Sequence, residues 1–451
     1  MSSVNKLKTG NRFAILDALR GIAATAVMLF HFLGAYHNEF GYATAPVFGF
    51  EWGFYGVQLF FIISGFVIYY SISNSSSIKD FLVKRFIRLY PTYWFCMAIT
   101  FIVVSWFGLT GREAGWKDAL VNISMFQGVF HVKFVDPSYW SLSIELFFYL
   151  FIATVFYFNW QRFMSVILVA WLLLIAFYNF VFKIPGAGLF FNLQYGMLFV
   201  AGIAFYRIKI QQQEGWFNHA LIGASYLLCL FILKHMDGYL WGITTVYVLF
   251  YLAIYGRLGF MENKVFFFFG RISYALYLIH DNVGLVFLQE CKKHGYSSPW
   301  LAIFPICISI LLAWLITDFF EKRVRPVFVT KCSKCHNPQA QVAGLDLTTA
   351  AGFAKGTESG PLVDLTAPSQ SRLLKAVSYT GTVKMPPSGK LTDEEIAALG
   401  KVREHDVEQP SRREEEGDDG GRVDREARAV VSGGVHAPKL VVDAQREPRQ
   451  R

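Results

Sequence analysis

The sequence predicts an all-α, multi-pass membrane protein of about ten transmembrane helices, followed by a small α-helical domain and a disordered tail. Three observations predict it. The 451-residue chain is 54% hydrophobic and 17% aromatic but only 17% charged, with a mean hydropathy of +0.37, whereas soluble domains carry roughly a quarter charged residues. Its apolar residues gather in repeated stretches of roughly twenty, the length a helix needs to cross the hydrocarbon core. The composition then breaks near Pro326: from Val329 to Arg451 the aromatic residues are Phe353 and Tyr379, with no tryptophan. The expected parts are a membrane body (1–328), an appendage (329–402) and a tail (403–451). The net charge of +9 and pI near 9.1 do not call for nucleic acid, because basic residues in cytoplasmic loops account for much of that balance.

Taken in order, the apolar stretches lie at 14–36, 53–72, 90–108, 139–158, 163–183, 188–207, 216–235, 239–257, 266–289 and 299–320. The intervening stretch 118–131, DALVNISMFQGVFH, is too short and polar to span and is expected in a loop or as a re-entrant segment. Basic residues set the orientation. Lys6, Lys8 and Arg12 precede the first span, Lys79, Lys84, Arg85 and Arg88 follow the second, and Lys322, Arg323 and Arg325 follow the tenth. Alternate loops carry fewer, so both termini are expected in the cytoplasm. The first span is too long for a cleavable signal peptide and lacks a small-residue cleavage site.

Five polar constellations sit in these spans. Arg20 and His31 share the first span, and a separation of eleven residues is close to three helical turns, or about 16 Å on one face. Ionisable groups at that depth are costly and usually face a protein interior or an aqueous cavity. A basic group near the cytoplasmic end with a titratable imidazole deeper in the membrane suits a reaction that begins with an anionic cytosolic donor. A histidine bonded to a neighbouring helix is the competing reading. Ser64-Gly65-Phe66 fits either close helix packing or a substrate contact. Arg85 and Arg88 in KRFIRLYP lie on one helix face at the membrane edge, where paired guanidinium forks suit phosphate and also suit lipid head groups. In YWSLSIELFFY, Glu145 lies with Ser141 and Trp140 in an apolar helix. Its carboxylate would orient His31, hold a sugar hydroxyl, or pair with an arginine. In GRISYALYLIH, Arg271, Tyr274, Tyr277 and His280 would line one polar seam, although interfacial tyrosines are common anchors. The chain leaves its last span through DFFEKRVRP.

Singly these signals are weak, but their joint order resembles the acyltransferase family 3, membrane O-acyltransferases of cell-surface glycans. The resemblance rests on LDALRGIAATAVMLFHF, VQLFFIISGFVI, KRFIRLYPTYW, PSYWSLSIELFFY, GRISYALYLIH and FEKRVRP, and covers about residues 13–326. It implies catalytic roles for Arg20 and His31, with Glu145 beside them, and substrate contacts for Arg85, Arg88, Ser64, Trp140, Ser141 and Tyr274. It also implies acyl-CoA, acetyl-CoA by default, as donor, and a carbohydrate or glycolipid hydroxyl as acceptor, in the bacterial inner membrane. A proton-coupled carrier or flippase is the alternative from a different class.

The appendage carries Cys332-Ser333-Lys334-Cys335-His336, the C-x-x-C-H pattern of covalent haem c attachment, with Met385 in VKMPPSGK as a candidate second axial ligand. Residues 331–402 resemble a planctomycete-type cytochrome c domain, which opens a haem-linked redox role. Haem c is attached outside the cytoplasm, whereas the charge rule puts residue 331 inside, so the two readings conflict. The tail 403–451 is mixed-charge and free of aromatics, and cannot bury enough apolar surface to order itself.

Overall fold

A computed structural model describes residues 14–320 except 76, 184, 185 and 235–237, together with scattered positions between 345 and 399. The described residues are helical and contain no strand. Helix α1 (Ala14–Leu29) runs through a π-helical turn (Phe30–Ala35) into α2 (Tyr36–Glu39). Then come α3 (Gly56–Ser73), α4 (Ile78–Phe107), α5 (Trp116–Asn122), α6 (Trp140–Tyr157), α7 (Met164–Phe180), α8 (Ala187–Phe190), α9 (Gly196–Lys209), α10 (Trp216–Ile232), α11 (Tyr239–Ile254), α12 (Lys264–Ile279), α13 (Asp281–Lys293), α14 (Ile303–Phe319) and α15 (Arg372–Val377).

Six of these helical stretches are long and apolar enough to cross a membrane: those through α1–α2, α3, α4, α6, α7 and α14, with α10 and α11 as shorter apolar helices. A helix stands in each of the ten apolar stretches of the sequence. The third starts earlier than its hydropathy, at Ile78, because the Ser77 side chain caps it by accepting from the Asp80 amide at 3.1 Å. Pro91 therefore falls inside α4 rather than at its start, and Arg85 and Arg88 lie in its first turns. The ninth stretch divides at His280, whose ring Nδ1 lies 3.0 Å from the carbonyls of both Leu276 and Tyr277. A side chain that takes up helix carbonyls in this way competes with the backbone ladder.

The helix through α3 is central, 72% buried in its apolar window, whereas that of α7 is 28% buried and presents Leu173, Phe177 and Phe180 outward. Such outward apolar faces suit lipid rather than water. Two helix pairs come together at glycines. A Cβ on Gly270 of α12 would lie 2.3 Å from the Asp17 carbonyl of α1, and one on Gly202 of α9 would lie 2.2 Å from the Ile62 carbonyl of α3. Only the missing side chains allow these backbones to approach so closely.

The stretch 118–131 does not span. It holds the end of α5 and a series of turns, docked on α4 by Tyr90, Tyr93 and Trp94, which donate to the carbonyls of Ser124, Asn122 and Ile123. In the appendage Leu345, Leu362, Leu373, Val377, Leu391 and Leu399 form a separate small apolar cluster. The tail and the C-x-x-C-H residues Cys332, Cys335 and His336 lie outside the described residues.

Candidate active site

Between them α1, α3, α4, α6 and α12 enclose a pocket with about 690 Å³ of empty space, part of it open to solvent. Eight of the residues singled out in the sequence line it: Arg20, Ser64, Arg85, Arg88, Ser141, Glu145, Tyr274 and Tyr277. They come from five helices, so only the tertiary packing makes them neighbours. Three guanidinium groups face one lining carboxylate, Glu145. Arg85 donates to Ser71 Oγ at 2.7 Å, and its Nε is buried with no partner among the described residues. Arg20 lies 3.5 Å from Asp17. An excess of buried, incompletely paired guanidinium groups is a site for an anion.

Glu145 does not meet His31. Its Oε1 accepts from Ser64 Oγ and Tyr149 OH, both at 2.7 Å. Both partners are hydroxyl groups of the protein itself. Trp140 is not among the pocket-lining residues; it packs on Phe61 and Tyr195.

His31 lies farther along α1, in the π-helical turn. Single π turns interrupt a helix at a cost and are frequent at functional sites. Its Nδ1 faces two groups: Asp281 Oδ1 at 3.2 Å and His280 Nε2 at 3.2 Å. Because the neighbours of His280 Nδ1 are both carbonyls, that nitrogen must donate, and Nε2 of the neutral ring is an acceptor. His31 Nδ1 thus faces two acceptors and carries the hydrogen, which leaves a lone pair on Nε2.

Asp281 is held on every side. Its Oδ1 also accepts from Arg112 Nη1 at 3.0 Å, and its Oδ2 from Ser138 Oγ at 2.9 Å. Nearby, Asp136 accepts from the amides of Ser138 and Asn282. Burial, and then the Asp281 carboxylate, push the Asp136 pKa above the usual carboxylate range. For Arg112, burial pulls downward, but Asp281 and Glu39 more than offset it and hold the guanidinium above its ordinary value. The pocket and the histidine pair meet at Tyr277. It lines the pocket, shares a 2.8 Å hydrogen bond with Ser141, donates to the Ser138 carbonyl at 2.8 Å, and packs its ring beside His280.

An acyltransferase domain family matches residues 13–318. The chain belongs to this acyltransferase family. Among curated relatives of this acyltransferase, the peptidoglycan O-acetyltransferase OatA of Listeria monocytogenes is 31% identical over 153 residues, 30% of this chain and 22% of OatA. The putative acetyltransferase ORF330 of Acidianus two-tailed virus is 24% identical over 285 residues, 58% of this chain and 80% of that protein. Nodulation protein 10 of Rhizobium leguminosarum bv. viciae is 30% identical over 168 residues, 33% of this chain and 46% of that protein. The chain therefore spans well under two thirds of OatA and of the nodulation protein. No solved structure matches it. Residues 332–389 of the acyltransferase match a planctomycete cytochrome C family. Of the four residues expected to hold haem, Met385 alone is described, with its amide bonded to the Ala376 carbonyl at 3.0 Å. No step is derived through haem.

Sequence reasoning missed Asp281 and Arg112. Asp281 left a signal, an acid directly after His280 in an apolar stretch. Arg112 left none: it sits in a polar loop, 169 positions before the carboxylate it bonds.

Proposed function

We propose that this acyltransferase moves an acyl group, acetyl by default, from acyl-CoA to a hydroxyl of a cell-envelope carbohydrate or glycolipid. The observation that carries this reading is an arginine-lined pocket joined through Tyr277 and His280 to a histidine, His31, whose Nε2 has no hydrogen-bond partner among the described residues. In this reading the multi-pass body uses all ten helical stretches and lies in the bacterial inner membrane, with the arginine end toward the cytoplasm, as the basic loops favour. Arg85, Arg88 and Arg20 bind the phosphate-bearing donor. Glu145, Ser64 and Ser141 present carboxylate and hydroxyl groups to the donor arm, and Tyr274 closes the wall, tethered to the Leu89 carbonyl.

His31 Nε2 takes the proton from the acceptor hydroxyl as its oxygen attacks the thioester carbonyl. The C–S bond breaks and the same proton passes to the sulfur, releasing the free thiol of CoA. Asp281 keeps the imidazole oriented and stabilises the imidazolium while it carries that proton. OatA acts on peptidoglycan by its name, which supports a carbohydrate acceptor. In membranes supplied with acyl-labelled acetyl-CoA, the wild type transfers label and His31→Ala, inserted normally, does not. Full transfer by His31→Ala overturns the mechanism, and a wild type that leaves every acyl-CoA intact returns the carrier reading.

A further inference from the structure

We propose that Arg112 is a positioning residue for acyl transfer: from the loop after α4 it straps Asp281 in place and divides that carboxylate's charge between itself and His31. The inference rests on the reading that His31 carries the proton.

The loop is built to present this side chain. Gly108 and Gly111 take φ of +73° and +85°, and the Arg112 amide closes a turn on the Leu109 carbonyl at 2.8 Å. Left-handed backbone at both glycines lets the loop double back over the helix ends. Although the loop is polar, the Arg112 side chain is only 16% exposed. Its guanidinium reaches two other segments. Nε and Nη2 grip Glu39 at the end of α2, at 3.1 and 2.5 Å, in a fork-to-fork pair. Nη1 reaches Asp281 Oδ1 at 3.0 Å and Asn282 Oδ1 at 3.1 Å at the start of α13. One planar group thus ties together the loop, the helix that bears His31 and the helix that bears Asp281. A lysine cannot reproduce that fork.

The oxygen that meets Arg112 is the one that meets His31 Nδ1, so the two donors share it. The charged and titratable groups around His31 are Asp281 and His280 from α12 and α13, Arg112 from the loop, and Glu39 behind Arg112. Asp136, ahead of α6, lies beyond Asp281. With Arg112 present, two carboxylates are balanced by one cation. Without it, Asp281 Oδ1 is left to His31 alone, and the protonated imidazole is favoured. Proton uptake from the acceptor hydroxyl then needs a higher pH.

The test is the pH profile of acyl transfer by the full chain in membranes, with Arg112→Gln, Arg112→Lys and Glu39→Gln beside the wild type. Arg112→Gln should move the acid limb of kcat to higher pH by about one unit. It should lower kcat at pH 7 by about 10- to 100-fold through loss of alignment. KM for acyl-CoA should stay within about twofold, because the arginine pocket lies toward the opposite end of α1. Arg112→Lys should return the limb to the wild-type position while kcat stays low. Glu39→Gln should move the limb to lower pH, and it keeps the question open to measurement should Arg112→Gln not fold. A purely structural strap lowers the rates and leaves every limb in place; that result, or a limb shifted the other way, overturns the proposal. Activity retained in His31→Ala overturns the underlying mechanism instead, so the two failures are told apart.

Discussion

At the residue scale, the carboxylate that meets the candidate base is Asp281, not Glu145. Both are single acids in apolar stretches, and the sequence treats them alike. The bonds distinguish them. Asp281 meets His31 Nδ1 and is pinned by Arg112 and Ser138, whereas Glu145 accepts from two hydroxyl groups in the arginine-lined pocket. Asp281→Asn replaces an acceptor facing His31 Nδ1 with an amide that can donate to it, which favours the wrong tautomer. We expect it to cut kcat by about 10²- to 10⁴-fold with KM for acyl-CoA little changed. Glu145→Gln keeps one acceptor oxygen and should alter KM more than kcat. Steady-state kinetics on the two variants checks both, and a reversed order would return Glu145 to the side of His31. The arginines and Glu145 were legible in the sequence because a charged residue inside an apolar run has few bland explanations. Arg112 was not, because an arginine in a polar loop is unremarkable until the fold brings an acid to it.

At the element scale, two features decide how the helices meet. One is the π-helical turn at Phe30–Ala35, which inserts an extra residue into the turn that holds His31. The other is the glycine contacts of α1 with α12 and of α3 with α9, which hold Arg20 and Ser64 close to the arginines of α4. Gly202→Val would press side-chain carbons into the α3 backbone. It should destabilise the bundle by about 1–3 kcal/mol, read as a lower melting midpoint in detergent, with a disproportionate loss of acyl-CoA binding because Ser64 moves. Gly223, with open space around it, is the matched control: Gly223→Ala should melt at or above the wild-type midpoint. The sequence marks helix periods and lengths, but it cannot say which of many glycines is a contact, since that depends on the partner helix.

At the scale of the whole molecule, the family match ends at residue 318 and a second match begins at 332. The bonds around His31 and the arginine pocket come from residues 17 to 282. We therefore expect a chain ending at residue 328 to insert and to transfer acyl groups at the wild-type rate, measured with labelled acetyl-CoA. Loss of transfer on that truncation would make the cytochrome-like segment part of the working enzyme.

The sequence by itself determined the class of the protein, because spans of about twenty apolar residues leave the backbone few options but helix. It also marked the residues that line the arginine-rich pocket, because they stand out one by one against an apolar background. What only the tertiary structure decided is the chemistry around His31. A hydrogen bond is formed or lost over a few tenths of an ångström, and here its partners are separated by up to 250 positions along the chain. Which carboxylate reaches the imidazole, which ring nitrogen is left with its lone pair, and which loop arginine holds that carboxylate are fixed by the packing of α1, α12 and α13, not by any one segment.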